Sequence, residues 1–201
     1  ISMRSCDSDK SISIGDMRRA FVGTRFRYTC TPRFFPVFFF PRITTSDVEH
    51  KRLYFRKGEV PEGEYLITIG KGDIKREGKD VTIFAYSLMV SVALEASEEL
   101  AKEGIEVEVI DPRSLVPMDY DLILKSVKKT GRLVIVQEAC RRGGIGSEIA
   151  AFVNENAFDY LNAPIVRAAG LNIPIPYNLT LGKACIPQSK DVIEAVRKAC
   201  S

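Results

Sequence analysis

From Val81 onward, short apolar runs and helical stripes of apolar residues alternate along the chain. Val81 to Tyr86 is an apolar run that predicts a strand. Leu88 to Glu103 carries Leu88, Val92, Ala96 and Leu100 at four-residue spacing, which predicts a helix with one buried face. Gly104 supplies its stop. Ile105 to Ile110 sets Ile105, Val107 and Val109 against Glu106 and Glu108, an alternation that predicts a strand with one polar face, closed by Asp111-Pro112. Asp119 is the expected N-cap of a second helix reaching about Lys129. Leu122, Ile123 and Val127 would face inward, and Lys125, Lys128 and Lys129 lie near the C-terminal end, where cations complement the helix dipole.

Leu133 to Val136 is nearly unbroken and β-branched, which predicts a strand buried on both faces and central to the sheet. A turn containing Gly143, Gly144 and Gly146 follows. The apolar period then changes, with Ile145, Ile149, Phe152 and Val153 on one side of a helix and Ser147, Glu148, Asn154 and Glu155 elsewhere. Pro164 to Ala169 predicts another strand, Ile173 to Tyr177 an extended proline-rich surface segment, and Ser189 to Ala199 a last helix burying Val192, Ile193 and Val196. Upstream, Tyr65 to Ile69 is a candidate short strand between two glycine-punctuated, charged connectors, Lys57 to Tyr65 and Gly70 to Asp80. Alternating strands and helices predict an α/β fold, a mainly parallel sheet with helices on both faces.

The glycine turn has two readings. Gly144-Ile145-Gly146 opens a helix whose free N–H groups favour an anion, yet the third glycine of a dinucleotide fingerprint would fall at Ile149. A tight structural turn is the reading preferred here. Glu138, at the carboxyl end of its strand, sits where open α/β sheets place ligands, but no titratable neighbour is evident in sequence, so a solvated or interface carboxylate is expected. His50, the only histidine, is read as structural. Five cysteines, Cys6, Cys30, Cys140, Cys185 and Cys200, form no C-x-x-C pair, and their odd number suits a reducing compartment. No apolar run approaches the ~18 residues of a spanning helix, so no membrane association is expected.

The net charge of +3 is unevenly spread. Residues 1–48 hold 8 basic and 4 acidic side chains, and residues 49–201 hold 21 and 22, so a nucleic-acid surface on the regular part is not expected. Residues 1–48 also hold 7 of the 11 phenylalanines and lack sustained periodicity. Phe34 to Pro41 is their one strongly apolar piece, and its prolines restrict it to an edge or covered β segment. Arginines at 18, 19, 25, 27 and 33, with Phe21, Phe26 and Tyr28 among them, also suit an RNA-binding arm or a transit peptide. The preferred reading is an irregular, truncated or misjoined extension. The expected division is therefore 1–48 extension, 49–80 connector and 81–201 folded domain.

From Glu49 to Ser201, about three quarters of the chain, six blocks occur in an order that resembles a known family. They are Glu49-His50-Lys51 with Leu53-Tyr54; Val60-Pro61-Glu62-Gly63-Glu64-Tyr65; Asp111 to Pro117; Ser126 to Arg132; the glycine block Gly143 to Ile149; and Ala169-Gly170-Leu171 with Pro174 to Asn178. This is similar to the C-terminal part of the beta subunit of thiamine-diphosphate-dependent 2-oxoacid dehydrogenases, of the pyruvate, branched-chain or acetoin type. The chain departs from the family at Gln137, where many members have histidine, at Leu179 to Gly182, and in the eight residues Pro41 to Val48 before Glu49.

The resemblance implies a transketolase-type three-layer α/β/α sandwich whose work is assembly, within an enzyme that oxidatively decarboxylates pyruvate or a related 2-oxoacid. It implies an alpha subunit, a second beta subunit and the acyltransferase core as partners, in a bacterial cytoplasm or a mitochondrial matrix. Thiamine diphosphate and magnesium belong to the assembled enzyme, and this chain alone is expected to bind neither. No catalytic residue is carried over. The interface candidates are Glu138, Arg141, Arg142, Gly143, Gly144, Gly146, Pro174, Pro176 and Tyr177. A stand-alone, non-catalytic α/β binding or interaction module is the alternative reading.

Overall fold

The computed structural model of the chain describes residues 50–55 and 66–201. The expected extension over 1–48 and the connector residues 56–65 lie outside the described residues. Among the described residues five strands form one sheet: β1 (Asp73–Arg76), β2 (Val81–Ala85), β3 (Val107–Asp111), β4 (Leu133–Cys140) and β5 (Val166–Gly170). Their spatial order is β1-β3-β2-β4-β5, with β2, β3, β4 and β5 parallel and β1 antiparallel to β3 at the edge. The helices are α1 (Leu88–Lys102), α2 (Tyr120–Thr130), α3 (Ile145–Ala157), α4 (Leu179–Cys185) and α5 (Ser189–Cys200). The α/β class and the mainly parallel sheet match what the alternation predicts.

The pleat divides the core in two. Val81, Ile83 and Ala85 of β2, Val107 and Val109 of β3, and Val134 and Val136 of β4 face a layer built from α1 and α5. Phe84, Ile110, Leu133 and Ile135 face the other way, onto Ile123 and Val127 of α2 and Ile149 and Val153 of α3. Each inner strand is thus buried on both faces, as parallel strands between helical layers must be.

That double burial explains where periodicity misleads. The alternation in β3 predicts a polar face carrying Glu108, but Glu108 has no exposed surface, because α2 lies over that face. Lys129 of α2 reaches it and bonds Oε2, and also bonds Glu77 at 3.1 Å. The strand expected at the center of the sheet, β4, lies one place off it, and β2 holds the middle. Leu66 to Ile69, expected as a strand, has no strand structure. A strand forms instead within the expected connector, where Asp73–Arg76 adds to the free edge of β3. Its polar sequence hides it, since an edge strand with one wet face needs few apolar residues.

The helix ends follow their chemistry. Asp119 caps α2, accepting from the Leu122 N–H at 3.1 Å through Oδ1 and from the Gly72 N–H at 3.1 Å through Oδ2, so one carboxylate ties β1 to α2. Gly131 ends α2 in the left-handed region at φ 68°, its N–H donating to Val127. A short helix that the sequence reading leaves out, α4, starts at Asn178, whose side chain accepts from Thr180 and Leu181.

Candidate functional site at the carboxyl end of the sheet

β4 runs past its buried section into Glu138, Ala139 and Cys140, and its backbone then turns over the carboxyl end of the sheet. The turn is held by Gln137, which is 1% exposed. Its Oε1 accepts from the Gly146 N–H at 2.7 Å, and its Nε2 donates to the Cys140 carbonyl at 2.8 Å. A Cβ on Gly144 would stand 2.7 Å from the Cys140 carbonyl oxygen, and one on Gly146 would stand 2.8 Å from Ile135 Cγ2. These glycines therefore make room for a side chain packed under the loop. The Gly146 amide at the start of α3, a donor that an anion would need, is spent on Gln137.

Glu138 has a partner that the sequence does not advertise. The His50 Nε2 lies 2.9 Å from Glu138 Oε2, joining residues far apart in the chain. The Arg52 N–H donates to His50 Nδ1 at 3.2 Å, so Nδ1 is the acceptor and Nε2 carries the proton toward Glu138. With both ring nitrogens engaged, His50 acts as a fastener. It holds the short 3-10 turn Lys51–Phe55, whose Leu53 is buried in the α1–α5 core, against the end of the sheet. Tyr86, just after β2, completes the cluster: burial raises its phenol pKa, and the Glu138 carboxylate raises it further.

On the β5 side the loop carries Arg141 and Arg142. The Arg141 N–H donates to Gly170 at 2.9 Å, and its guanidinium donates to the Arg167 carbonyl at 3.0 Å. Arg167 of β5 donates to Ser147 Oγ at 2.6 Å. The Arg142 N–H donates to Asn172 Oδ1 at 2.8 Å, which sets the arginine loop beside the segment after β5. That segment has no regular structure from Pro174 to Pro176. It exposes Leu171, Ile173, Ile175, Tyr177, Leu179 and Leu181, with Tyr177 and Leu179 at 104% and 82%.

The structure thus gathers Arg141, Arg142, Gly143, Gly144 and Gly146 with the segment of Pro174, Pro176 and Tyr177, while Glu138 turns toward His50 and Tyr86. Gln137, His50, Tyr86 and Arg167 are not among the sequence candidates. The signals available were the solitary histidine and the polar Gln137 closing an apolar run; Arg167 left no signal, since its role depends on strand pairing.

The sequence pattern of the family described as "Transketolase, C-terminal domain" matches residues 70–192. Among characterised proteins, the chain is 47% identical over 158 residues to the Bacillus subtilis "Acetoin:2,6-dichlorophenolindophenol oxidoreductase subunit beta", covering 79% of this chain and 44% of that protein. It is 48% identical over 142 residues to the Oryza sativa "Pyruvate dehydrogenase E1 component subunit beta-2, mitochondrial", covering 71% and 38%. It is 45% identical over 153 residues to the Rickettsia felis "Pyruvate dehydrogenase E1 component subunit beta", covering 76% and 47%. The chain therefore spans less than half the length of these relatives. A solved structure described as "Split gene transketolase, inactive beta4 tetramer" superimposes with a TM-score of 0.60 at 34% identity, over 71% of this chain and 45% of that one.

Proposed function

Because the chain belongs to the transketolase C-terminal domain family, we propose that it serves as the C-terminal assembly domain of the beta subunit of a 2-oxoacid or acetoin dehydrogenase. The family depends on thiamine diphosphate. In this reading the complete enzyme oxidatively decarboxylates pyruvate or a related 2-oxoacid, and this domain contributes by holding subunits together. Its partners are an alpha subunit, a second beta subunit and the acyltransferase core.

The observation that carries an assembly role is the strip Leu171 to Leu181. The two helical layers close the core, yet this stretch leaves six large apolar side chains in water. Apolar patches beyond a few hundred Å² on a folded domain mark interaction surfaces.

The described residues do not fit the thiamine diphosphate and magnesium themselves. Among them, no three His, Cys, Asp or Glu side chains come together to hold a metal ion. The glycine-rich start of α3 gives its Gly146 amide to Gln137. In this reading the cofactor is held by other parts of the assembled enzyme. Among the described residues no helix is long and apolar enough to cross a membrane. The relatives come from bacteria and from rice mitochondria, which supports a bacterial cytoplasm or a mitochondrial matrix.

Co-expression with the alpha subunit of the acetoin or pyruvate enzyme, followed by size exclusion with light scattering, tests the reading. Co-elution as a heteromer is expected. A chain that elutes alone at every concentration would overturn it and favour a stand-alone binding module.

A further inference from the structure

Arg141, Arg142 and Arg167 stand together where β4 and β5 end, and none of them makes an ion pair among the described residues. Two other arginines find carboxylates, Arg113 pairing with Asp73 at 2.8 Å and Arg197 with Glu103 at 2.6 Å. Here the guanidinium contacts are all to neutral oxygens, the Arg167 and Arg141 carbonyls and Ser147 Oγ. Those bonds orient Arg141 and Arg167 without placing a carboxylate in ion-pair contact with either, and each of the three guanidiniums has more donors than it uses.

Directly beside them lies the exposed strip Leu171, Ile173, Ile175, Tyr177, Leu179 and Leu181, tied to the arginine loop through Asn172 and, at 3.9 Å, from Cys140 Sγ to the Ile173 carbonyl. Pro174 and Pro176 have no N–H, so the strip cannot offer the row of donors by which an added strand would pair. Recognition falls to side chains: an apolar band flanked by unpaired positive charge.

We propose that this surface docks an acidic amphipathic helix of a partner protein, its apolar face on the strip and its carboxylates on Arg141, Arg142 and Arg167. The inference rests on the assembly reading and names the chemistry of the partner at that same surface. A phosphate backbone would answer the arginines but leave the apolar band in water, and the charge of residues 49–201, with 21 basic and 22 acidic side chains, does not favour a polyanion.

The test uses the 201-residue chain and two synthetic peptides about 18 residues long, roughly 27 Å as helices. One carries leucines on one face flanked by glutamates; its twin has lysine at each glutamate position. By fluorescence anisotropy, the parent chain should bind the glutamate peptide at least about tenfold more tightly than the lysine peptide, more weakly as salt rises. The variant R141E/R142E should reverse that preference, a gain that an unfolded chain cannot show. The variant Y177A/L179A should lose both peptides.

No binding of the glutamate peptide, equal binding of the twins, or a preference unchanged by charge reversal would overturn the inference. So would phosphatidylglycerol vesicles or a single-stranded oligonucleotide binding as tightly as the peptide and with the same dependence on the arginines. The peptide readout does not involve the alpha subunit. A chain that binds the peptide but never joins the alpha subunit sinks the assembly reading alone, and a chain that joins it but ignores the peptide sinks this inference alone.

Discussion

Two regions at the flanks of one sheet treat their charged side chains in opposite ways. Along β3 and α2, polar groups are consumed internally: Glu108 is fully buried and bonded by Lys129, Asp119 caps α2 while holding Gly72, and Thr82 and Thr130 share a hydrogen bond of 2.8 Å. At the carboxyl end of β4 and β5, three arginines make no ion pair among the described residues and six large apolar side chains are exposed. Partial burial works against the Lys129 ammonium, and its bonds to Glu108 and Glu77 outweigh that, holding its pKa above the usual value. The first region stabilises the fold from within. The second leaves its side chains available to something outside.

This contrast is most severely tested at Lys129. Lys129→Ala strands a carboxylate with no exposed surface, one oxygen of which, Oε1, already lacks a partner. The cost should be about 3 kcal/mol in urea unfolding, the lower end for breaking a buried pair because the lysine is partly exposed. K129M/E108L should recover most of that loss, and a double variant as unstable as the single would contradict the pairing. Charge reversal at Arg141 and Arg142, by comparison, should leave the unfolding free energy within about 0.5 kcal/mol of the parent.

Gly146→Ala comes next. Its Cβ meets Ile135 and the Gln137 side chain, so a loss of about 2 kcal/mol is expected in thermal unfolding. An unchanged melting temperature would mean that the glycine serves something other than close packing. Glu138→Gln should cost about 1 kcal/mol. It should also speed amide exchange over residues 50–55 and shift the Tyr86 ionisation part of the way back toward its ordinary value, because burial remains. A Tyr86 titration that does not move would place Glu138 elsewhere.

The smallest effect belongs to Glu103, whose hydrogen bond to Arg197 lowers its carboxyl pKa below the ordinary 4.5. The folded value lies below the unfolded one, so the contribution is present above that ordinary value and fades as pH falls through the lowered one. Arg197→Ala should return the carboxyl titration, followed by NMR, to its ordinary position.

The sequence makes most of the sheet legible because buried parallel strands are apolar runs and the helices between them carry apolar stripes with caps such as Asp119 and Gly131. It hides β1, whose polar residues suit an edge, and α4, whose seven residues are too few to show a period. The alternation of β3 misleads at Glu108 because helices cover both faces of that strand. Of the candidate site, the loop and the proline-rich segment are local in sequence and therefore visible. The pairing of Glu138 with His50, and of the arginine loop with Arg167, arises from tertiary contact, which no local pattern encodes.

The assembly role is tested most directly by hydrogen exchange on the chain with and without the alpha subunit. New protection confined to residues 171–181 and 141–143, with the β3–α2 flank unchanged, is the predicted result. Protection appearing on that flank instead, or nowhere, would contradict the account.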